Sequence, residues 1–300
     1  MNTRKLVFIN PNSGRAKKGD ELAKLTSILD VLPGVETKLL GKLDDPTELA
    51  KAAVKQGVKV IGAAGGDGTL NAIASGLVGT DVTFVALPFG TLNHFARDIN
   101  MPTDLEKAAQ YLLDGPEETI DVGQVNDSYF LNNSSLGIYP RLVGLREKRE
   151  KELGKWRAYV WAARQTLRNP VRLRVSFQAT ANLPARNFKV GLIFVANNQC
   201  DTWLPKPGSR ACLTNHALDV YVLEARNRLK LFSLAWHFLL NRLNNYPDIL
   251  HSSETDFTIN SRKRTISVAR DGEVGPMVTP IHYKSVNAAL RVRMPPKQEK

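Results

Sequence analysis

The sequence predicts an α/β domain with a parallel sheet, followed by an antiparallel β-sandwich domain that carries helical insertions. In the first 125 residues, short apolar runs alternate with segments whose apolar residues recur at helical spacing, which is typical of βαβ units. After residue 125, apolar and polar residues alternate within short runs, which is typical of antiparallel strands. We therefore divide the 300-residue chain into a domain over 1–125 and a domain over 126–300.

Four strands and four helices are expected in the first domain. The strands are expected at 6–9, 35–40, 58–62 and 83–87, and the helices at 22–32, 46–56, 70–77 and 105–113. Strands that alternate with helices of this length pair in parallel, and helices cover both faces of their sheet. Because parallel strands end at one edge of the sheet, a ligand is expected at their carboxyl ends.

A glycine-rich loop follows the third strand and consists of Gly65, Gly66, Asp67, Gly68 and Thr69. Glycines let the backbone approach an anion, and the N–H groups of the next helix, which we expect Thr69 to cap, point towards it. Asp67 would repel bare phosphate, so we expect it to hold a cation between itself and the phosphates. The loop therefore predicts a nucleotide site. The alternative is a sharp turn in which Asp67 only stabilises the helix start.

Two further polar loops follow the first and fourth strands. The first consists of Asn10, Pro11, Asn12, Ser13 and Gly14, and the second, over 88–98, contains Gly90 and Thr91 before another helix. Asn, Ser and Gly supply hydrogen-bonding groups and a flexible backbone suited to phosphate or ribose. Either loop alone would read as an ordinary turn, but three such loops at one sheet edge favour a ligand site.

Charge is divided unevenly along the chain. The formal net charge is +12, of which residues 1–125 contribute −3 and residues 126–300 contribute +15. The second domain is therefore the part attracted to anionic partners such as a phospholipid surface or nucleic acid, although a basic excess also serves solubility alone.

Apolar runs and cysteines indicate a cytoplasmic protein. The longest strongly apolar run, 231–240, is about half the length that a membrane-spanning helix needs, and residues 1–9 lack a signal-peptide core. Cys200 and Cys212 form no disulfide framework, and no Cys/His cluster has zinc-ligand spacing.

The second domain is expected to contain strands at 171–177, 188–196, 217–223, 255–259, 265–268 and 289–294, and the first of these has a basic outer face. Two apolar, aromatic and basic helical segments, 155–168 and 229–243, interrupt them. The favoured interpretation places Trp156, Tyr159, Val160, Ala163 and Leu167 against the sheet. The alternative is that these helices line an acyl-chain slot or rest on a membrane surface.

An acidic turn, Asp271-Gly272-Glu273, follows the strand at 265–268. It reads either as a hairpin turn with solvated acids or as a carboxylate pair in which Glu273 accepts a proton from an attacking hydroxyl. Its spacing leaves both interpretations open.

Together these motifs resemble the diacylglycerol kinase catalytic-domain family, the bacterial lipid kinases related to sphingosine kinases. The segments that carry the resemblance occur in family order, at 10–14, 65–71, 88–93, 95–97, 121–123, 218–220 and 271–273. The Gly-Gly-Asp-Gly core is less specific, because NAD kinases and phosphofructokinases share it.

The resemblance implies an ATP-binding α/β domain, a β-sandwich domain behind it and a lipid hydroxyl as acceptor. It implies that Glu273 is the general base, that Asp271 belongs to the catalytic set, and that Asp67 and Asp121 support Mg²⁺. The nucleotide-binding residues that it implies are Asn10, Asn12, Ser13, Gly14, Gly65, Gly66, Gly68, Thr69, Asn71, Thr91 and Asn93. The partners expected are a membrane lipid substrate and, through peripheral contact, the anionic inner face of the membrane.

Three departures from the family pattern concern acids. Ala72 and His94 stand where many members carry Glu and Asp, and residues 214–216 replace an Asp-Asp-Gly run that supplies a structural metal site in some relatives. We do not predict that second metal. Two other hypotheses remain: a kinase of a soluble substrate, as in NAD kinases, and a catalytically silent nucleotide or lipid sensor. We expect no nucleic-acid partner, because no known reading module accompanies the dispersed basic residues.

Overall fold

The computed structural model describes residues 4–17, 19–169, 173–178, 180, 185, 187–199, 212–224 and 249–296, which form two compact units. The first unit contains 4–122, 212–216 and 286–296 of these residues, and the second contains the remainder. The chain therefore returns twice to the first unit, whereas the sequence analysis divides it into two continuous domains, 1–125 and 126–300. The return of residues 286–296 involves a long final strand, which crosses the boundary between the units.

The first unit is built on a parallel sheet, as predicted. Its strands are β1 (Lys5–Ile9), β2 (Val35–Leu39), β3 (Val60–Gly65) and β4 (Thr83–Pro88), in the spatial order β4-β3-β1-β2. The helices are α1 (Glu21–Asp30), α2 (Pro46–Lys55), α3 (Asp67–Ser75), α4 (His94–Asp98) and α5 (Leu105–Gln110). Every residue of β3 and β4 is buried, which explains why both strands read as continuous small or apolar runs.

Helix α2 shows how the sequence fixes one of these boundaries. The side chain of Asp45 accepts hydrogen bonds from the backbone N–H groups of Thr47 and Glu48, and Pro46 occupies the first helical position. An acidic cap and a proline with preset φ are the residues that favour a helix start. The helix was predicted from residue 46 and begins there.

The second unit is built on antiparallel strands, which confirms the predicted class. The strands that lie in it wholly or in part are β5 (Glu117–Val125), β6 (Ser128–Phe130), β7 (Asn133–Gly137), β8 (Leu173–Phe177), β9 (Asn187–Asn197), β10 (Leu218–Glu224), β11 (Ile249–Glu254), β12 (Asp256–Ser261), β13 (Thr265–Arg270), β14 (Glu273–Val278) and β15 (Ile281–Arg293). Strands β5, β6, β7, β11 and β14 were not predicted, and β15 begins eight residues before the predicted strand. Residues 229–243, predicted to be helical, lie outside the described residues.

An aromatic cluster fills the core of the second unit. The rings of Phe257 and Tyr283 stack with centroids 5.0 Å apart, and Phe130 meets Tyr283 edge-on. Complete burial raises the pKa of the Tyr283 hydroxyl far above its ordinary value, and this hydroxyl shares a 2.8 Å hydrogen bond with Ser134 Oγ. The hydroxyl group of Tyr283 therefore has a hydrogen-bond partner inside the core.

Two consecutive helices, α6 (Ile138–Leu153) and α7 (Lys155–Arg168), form a hairpin in the second unit. Among the α7 side chains that the structure describes, the buried ones are the small residues Ala158, Ala162 and Thr166. Trp156 and Val160 are instead 83% and 69% exposed, so the prediction that they pack against the sheet is wrong. No helix among the described residues is both long and apolar enough to cross a bilayer.

Candidate nucleotide site and acidic residues

Three loops converge at the carboxyl edge of the parallel sheet. Ile9 pairs with Ala64, and Ala64 pairs with Leu87, so β1, β3 and β4 end level with one another. The segments that follow these strands contain Asn10–Gly14, Gly66–Thr69 and Gly90–Asn93. The structure thus brings together in one unit the eleven residues that the family resemblance assigns to the nucleotide.

The loops approach one another through glycines. A Cβ atom on Gly90 would lie 2.5 Å from Cα of Gly66, and one on Gly14 would lie 2.0 Å from Oγ1 of Thr91. Real Cβ atoms are not found at such distances. The Gly90 contact is with backbone and therefore requires glycine, whereas a Cβ on Gly14 would require the Thr91 side chain to move. Gly90 is needed for the close contact between the second and third loops, a role that the sequence pattern alone did not reveal.

Side-chain hydrogen bonds fix the first and second loops. Asn10 Nδ2 donates to Thr69 Oγ1 at 2.8 Å, and Asn10 Oδ1 accepts from the backbone N–H of Asn12 at 2.9 Å. Ser13 is buried, and its hydroxyl accepts from Ala16 N at 3.4 Å. Thr69 is the third residue of α3, which begins at Asp67 and not at residue 70, so the predicted capping role of Thr69 is wrong.

The third loop is held by Asn93. This residue has a left-handed backbone with φ of 53°, and its side chain exchanges hydrogen bonds with the backbone of Gly90, at 2.8 Å from Gly90 N and 3.2 Å to Gly90 O. Asparagine tolerates this conformation better than most residues because its short polar side chain bonds locally. Thr91 is exposed beside it.

Asp67 stands at the start of α3. One carboxylate oxygen, Oδ1, accepts from the backbone N–H of Phe95 at 3.2 Å, and the position in the first turn suits a negative charge. No hydrogen bond of the other oxygen is found within the part of the chain that the structure describes. Asp67 is half-buried, so it remains accessible to a cation or its water.

A small cavity of about 280 Å³ opens between the first and third loops. Its lining includes Gly14, Thr91 and Arg15, and the guanidinium of Arg15 forms an ion pair with Glu21 and donates to Thr103 O at 3.1 Å. Sequence reasoning missed Arg15 and Glu21. The available signal was the position of Arg15, a basic residue directly after the first polar loop.

Asp121 is completely buried in the first unit and is surrounded by backbone amides. Its two oxygens accept from His216 N at 2.7 Å and from Ala288 N at 2.9 Å, and its own N–H donates to Leu213 O. It thus binds two chain segments that are remote in sequence. Its metal role stays a prediction. Among the described residues, no three His, Cys, Asp or Glu side chains form a group that could hold a metal ion.

Asp271 and Glu273 lie in the second unit and differ sharply in environment. The carboxylate of Asp271 accepts hydrogen bonds from three successive amides, those of Leu131, Asn132 and Asn133, at 2.7–3.0 Å. Glu273 is exposed at the first residue of β14. Asp271 therefore fixes the turn that carries Glu273, and both catalytic assignments stay predictions.

Comparisons with known proteins agree with the fold and the motifs. The family described as Diacylglycerol kinase catalytic domain matches residues 4–125. A diacylglycerol kinase of Bacillus subtilis (strain 168) is 28% identical over 296 residues, which cover 96% of this chain and 95% of that protein. One of Staphylococcus saprophyticus is 34% identical over 146 residues, which cover 46% of each protein. The crystal structure of a diacylglycerol kinase from Bacillus anthracis str. Sterne has a TM-score of 0.72 and 21% identity, and the match covers 98% of both chains.

The matched family model and the relatives named diacylglycerol kinase support a kinase that phosphorylates an alcohol group, and the family implies ATP as co-substrate. The resemblance predicted from the motifs is confirmed. Residues 4–125 match the model of the diacylglycerol kinase catalytic-domain family.

The glycine contact between the second and third loops leads to a first prediction. Gly90→Ala places a Cβ 2.5 Å from Gly66 Cα, so we expect the free energy of unfolding to fall by about 1–3 kcal/mol. The dissociation constant for ATP is expected to rise at least about tenfold, because the displaced loops carry its phosphate-binding groups. Denaturant unfolding and calorimetric titration measure the two quantities.

Gly66→Ala is the matched control. Its Cβ would lie 4.0 Å from Gly90 Cα, an ordinary contact, so stability should change by no more than about 0.5 kcal/mol. ATP binding should nevertheless weaken, because phosphate is expected to approach the backbone there. Unchanged ATP binding in Gly66→Ala would contradict that approach, and unchanged stability in Gly90→Ala would contradict the steric argument.

Asp121 provides a second prediction. Asp121→Ala leaves the buried amides of His216 and Ala288 without their acceptor, so the free energy of unfolding should fall by about 2–4 kcal/mol. Asp121→Asn keeps one acceptor oxygen and should lose about half as much. The dependence of activity on Mg²⁺ concentration, measured on Asp121→Asn, distinguishes the two roles. A purely structural carboxylate leaves the half-saturating Mg²⁺ concentration unchanged, whereas a metal-supporting one raises it.

Proposed function

We propose that this protein is an ATP-dependent lipid kinase that transfers the γ-phosphoryl group to a hydroxyl of diacylglycerol or a related lipid. The observation that carries the proposal is the convergence of three glycine-containing loops around Asp67, which keeps one oxygen without a hydrogen bond in the described residues. The relatives named diacylglycerol kinase support the choice of acceptor.

The loop residues suit the phosphates of a nucleotide. The glycines allow close backbone approach, and the first turn of α3 supplies N–H groups that attract anions. In this proposal Asn10, Asn12, Ser13, Gly14, Gly65, Gly66, Gly68, Thr69, Asn71, Thr91 and Asn93 hold ATP, and Asp67 orients Mg²⁺ with support from Asp121. When bound, ATP would supply the phosphoryl group, and Mg²⁺ would neutralise the charge that develops during its transfer.

Glu273 is proposed as the general base. Its exposed carboxylate accepts the proton of the acceptor hydroxyl, while the amide contacts of Asp271 hold the preceding turn in place. Such a base contributes typically about a hundredfold or more to the rate. Many family members carry two further acids in this part of the site, but this chain has Ala72 and His94 at those positions. Asp67 is therefore the family acid that remains there.

Phosphate transfer from radiolabelled ATP to lipid in mixed micelles tests the function. We expect a phosphorylated product from diacylglycerol or a related lipid, and no product with diacylglycerol, ceramide, sphingoid base or phosphatidylglycerol would exclude a lipid kinase. Glu273→Gln should reduce turnover at least about a hundredfold while ATP binding stays unchanged. Retained turnover would remove Glu273 from the base role. ATP binding by wild-type protein without transfer to any acceptor would indicate a sensor instead.

We also propose that the protein contacts the inner face of the membrane from the cytoplasm. The α6–α7 hairpin exposes Trp156 and Val160 four residues apart, on one face of a helix that also carries arginines. Aromatic and aliphatic groups beside cations suit the boundary between headgroups and acyl chains. Basic side chains in the second domain add attraction to anionic lipid.

A double substitution tests this membrane contact. Trp156→Ala with Val160→Ala removes exposed apolar groups, so partition onto vesicles of phosphatidylcholine and phosphatidylglycerol should fall about tenfold or more. Sedimentation with vesicles measures it. The control replaces Val31 and Leu43, which are 79% and 101% exposed in the first unit, by alanine. Equal losses in both double variants would exclude α7 as a specific contact.

A further inference from the structure

A groove of about 580 Å³ lies on the outer face of strands β9, β8 and β12 in the second unit. The buried side chains of these strands, such as Val175 and Ile259, point to the opposite face, into the core. The polar and charged residues that line the groove are Arg174, Ser176, Asn187, Lys189, Asn260, Ser261 and Arg262. None of the residues assigned to the nucleotide and none of the candidate catalytic or metal-binding acids lines the groove, so the groove is a separate feature.

Three cations lie in one row across the groove. Arg174 and Lys189 are direct register partners on β8 and β9. On the other side of β8, Ser261 pairs with Val175, and Arg262 is the next residue of the chain. Adjacent strands are about 4.8 Å apart, which is less than the screening length of about 8 Å at physiological salt. Like charges directly opposite each other destabilise a sheet pair, so compensation of this row by an anion would be favourable.

The compensation does not come from the described part of the protein. The groove lining contains no Asp or Glu, and no ion pair of Arg174, Lys189 or Arg262 occurs among the described residues. Other arginines do have carboxylate partners, as Arg4 has Glu36 and Arg293 has Glu117. The repulsion within the groove would therefore be relieved by an external anion.

A second row supplies neutral hydrogen-bonding groups beside the cations. Ser176 is the register partner of Asn187 on one side and of Asn260 on the other, and it lies two residues from Arg174 on the same face of β8. Hydroxyl and amide groups complement guanidinium and ammonium groups around the several oxygens of a phosphate. Phosphate is the anion that uses both rows, because its oxygens accept many hydrogen bonds and its charge is high.

We propose that this surface, here called the cationic groove, binds the phosphate group of an anionic ligand. Its two sources are the headgroup of an anionic phospholipid and a free phosphate ester. The guanidinium groups of Arg174 and Arg262 and the ammonium group of Lys189 neutralise the ligand, and the row centred on Ser176 orients it. The proposal does not depend on which lipid, if any, the enzyme phosphorylates.

Nuclear magnetic resonance of amide groups tests the groove directly. Inorganic phosphate is titrated at constant ionic strength, and we expect saturable shifts of the amides of Ser176, Lys189 and Asn260. In the triple variant Arg174→Gln, Lys189→Gln, Arg262→Gln the affinity read from these amides should fall at least about tenfold. Phosphate that enters the nucleotide site shifts other amides, such as that of Gly66, and these responses should persist. Lys189→Gln alone provides a milder variant and should give an intermediate loss.

Vesicle binding distinguishes the two sources. Partition onto vesicles with 30% phosphatidylglycerol in phosphatidylcholine is compared for the wild type, the triple variant and a charge-matched control with Lys38, Lys55 and Lys59 of the first unit replaced by Gln. A loss of about tenfold in the triple variant, against less than threefold in the control, assigns the groove to a lipid headgroup. Phosphate-dependent shifts with equal partition of both variants assign it to free phosphate esters. Absence of the shifts together with equal partition would overturn the proposal.

Discussion

The site of this protein depends on the register of three parallel strands. Because β1, β3 and β4 end level, the segments that follow them meet at one edge of the sheet. The backbones of the second and third loops then come so close that a side chain is excluded at Gly90. A change of register by one residue would move each loop along the strand axis by about 3.3 Å and separate these contacts. Contact between the loops therefore depends on both Gly90 and the strand register.

Carboxylates that bind backbone amides stabilise both units. Asp121 holds the amides of His216 and Ala288 within the first unit, and Asp271 holds three consecutive amides within the second. Each of these acids was selected from the sequence for chemistry, since a carboxylate in a motif suggests metal binding or proton transfer. In the structure, their hydrogen bonds with these backbone amides position the chain. Asp67 and Glu273 differ from them in being accessible. Asp67 is half-buried and accepts one hydrogen bond from the described residues, and Glu273 is exposed.

The sequence predicted the parallel sheet well because the signals are local. Strands β3 and β4 are continuous small or apolar runs, and α2 carries its own cap and proline. It predicted less of the second unit. Strand β7 reads Asn-Ser-Ser-Leu-Gly, and β14 contains Gly275 and Pro276, so neither resembles an alternating strand. Helix α6 was missed because Pro140 and Gly144 interrupt its first half and its second half is almost entirely charged.

The candidate site was predictable as a set of loops but not as a set of contacts. Residue types at strand ends indicated phosphate chemistry, whereas the hydrogen bond from Asn10 to Thr69 joins residues 59 positions apart and has no local signal. The same holds for the exposed face of α7. Its apolar residues recur at helical spacing, but only the packing of Ala158 and Ala162 shows which face is covered.

The hydrogen bond from Ala288 N to Asp121 also determines when the first unit is able to assume its final structure during synthesis. The two residues are separated by 167 positions, and β15 reaches β4 through Val292 and Phe84. A ribosome making about 5–20 residues per second exposes Asp121 roughly ten to thirty seconds before its partner amide emerges. During that interval the nascent chain contains every loop of the nucleotide site, while a buried carboxylate and a strand edge still await their partners.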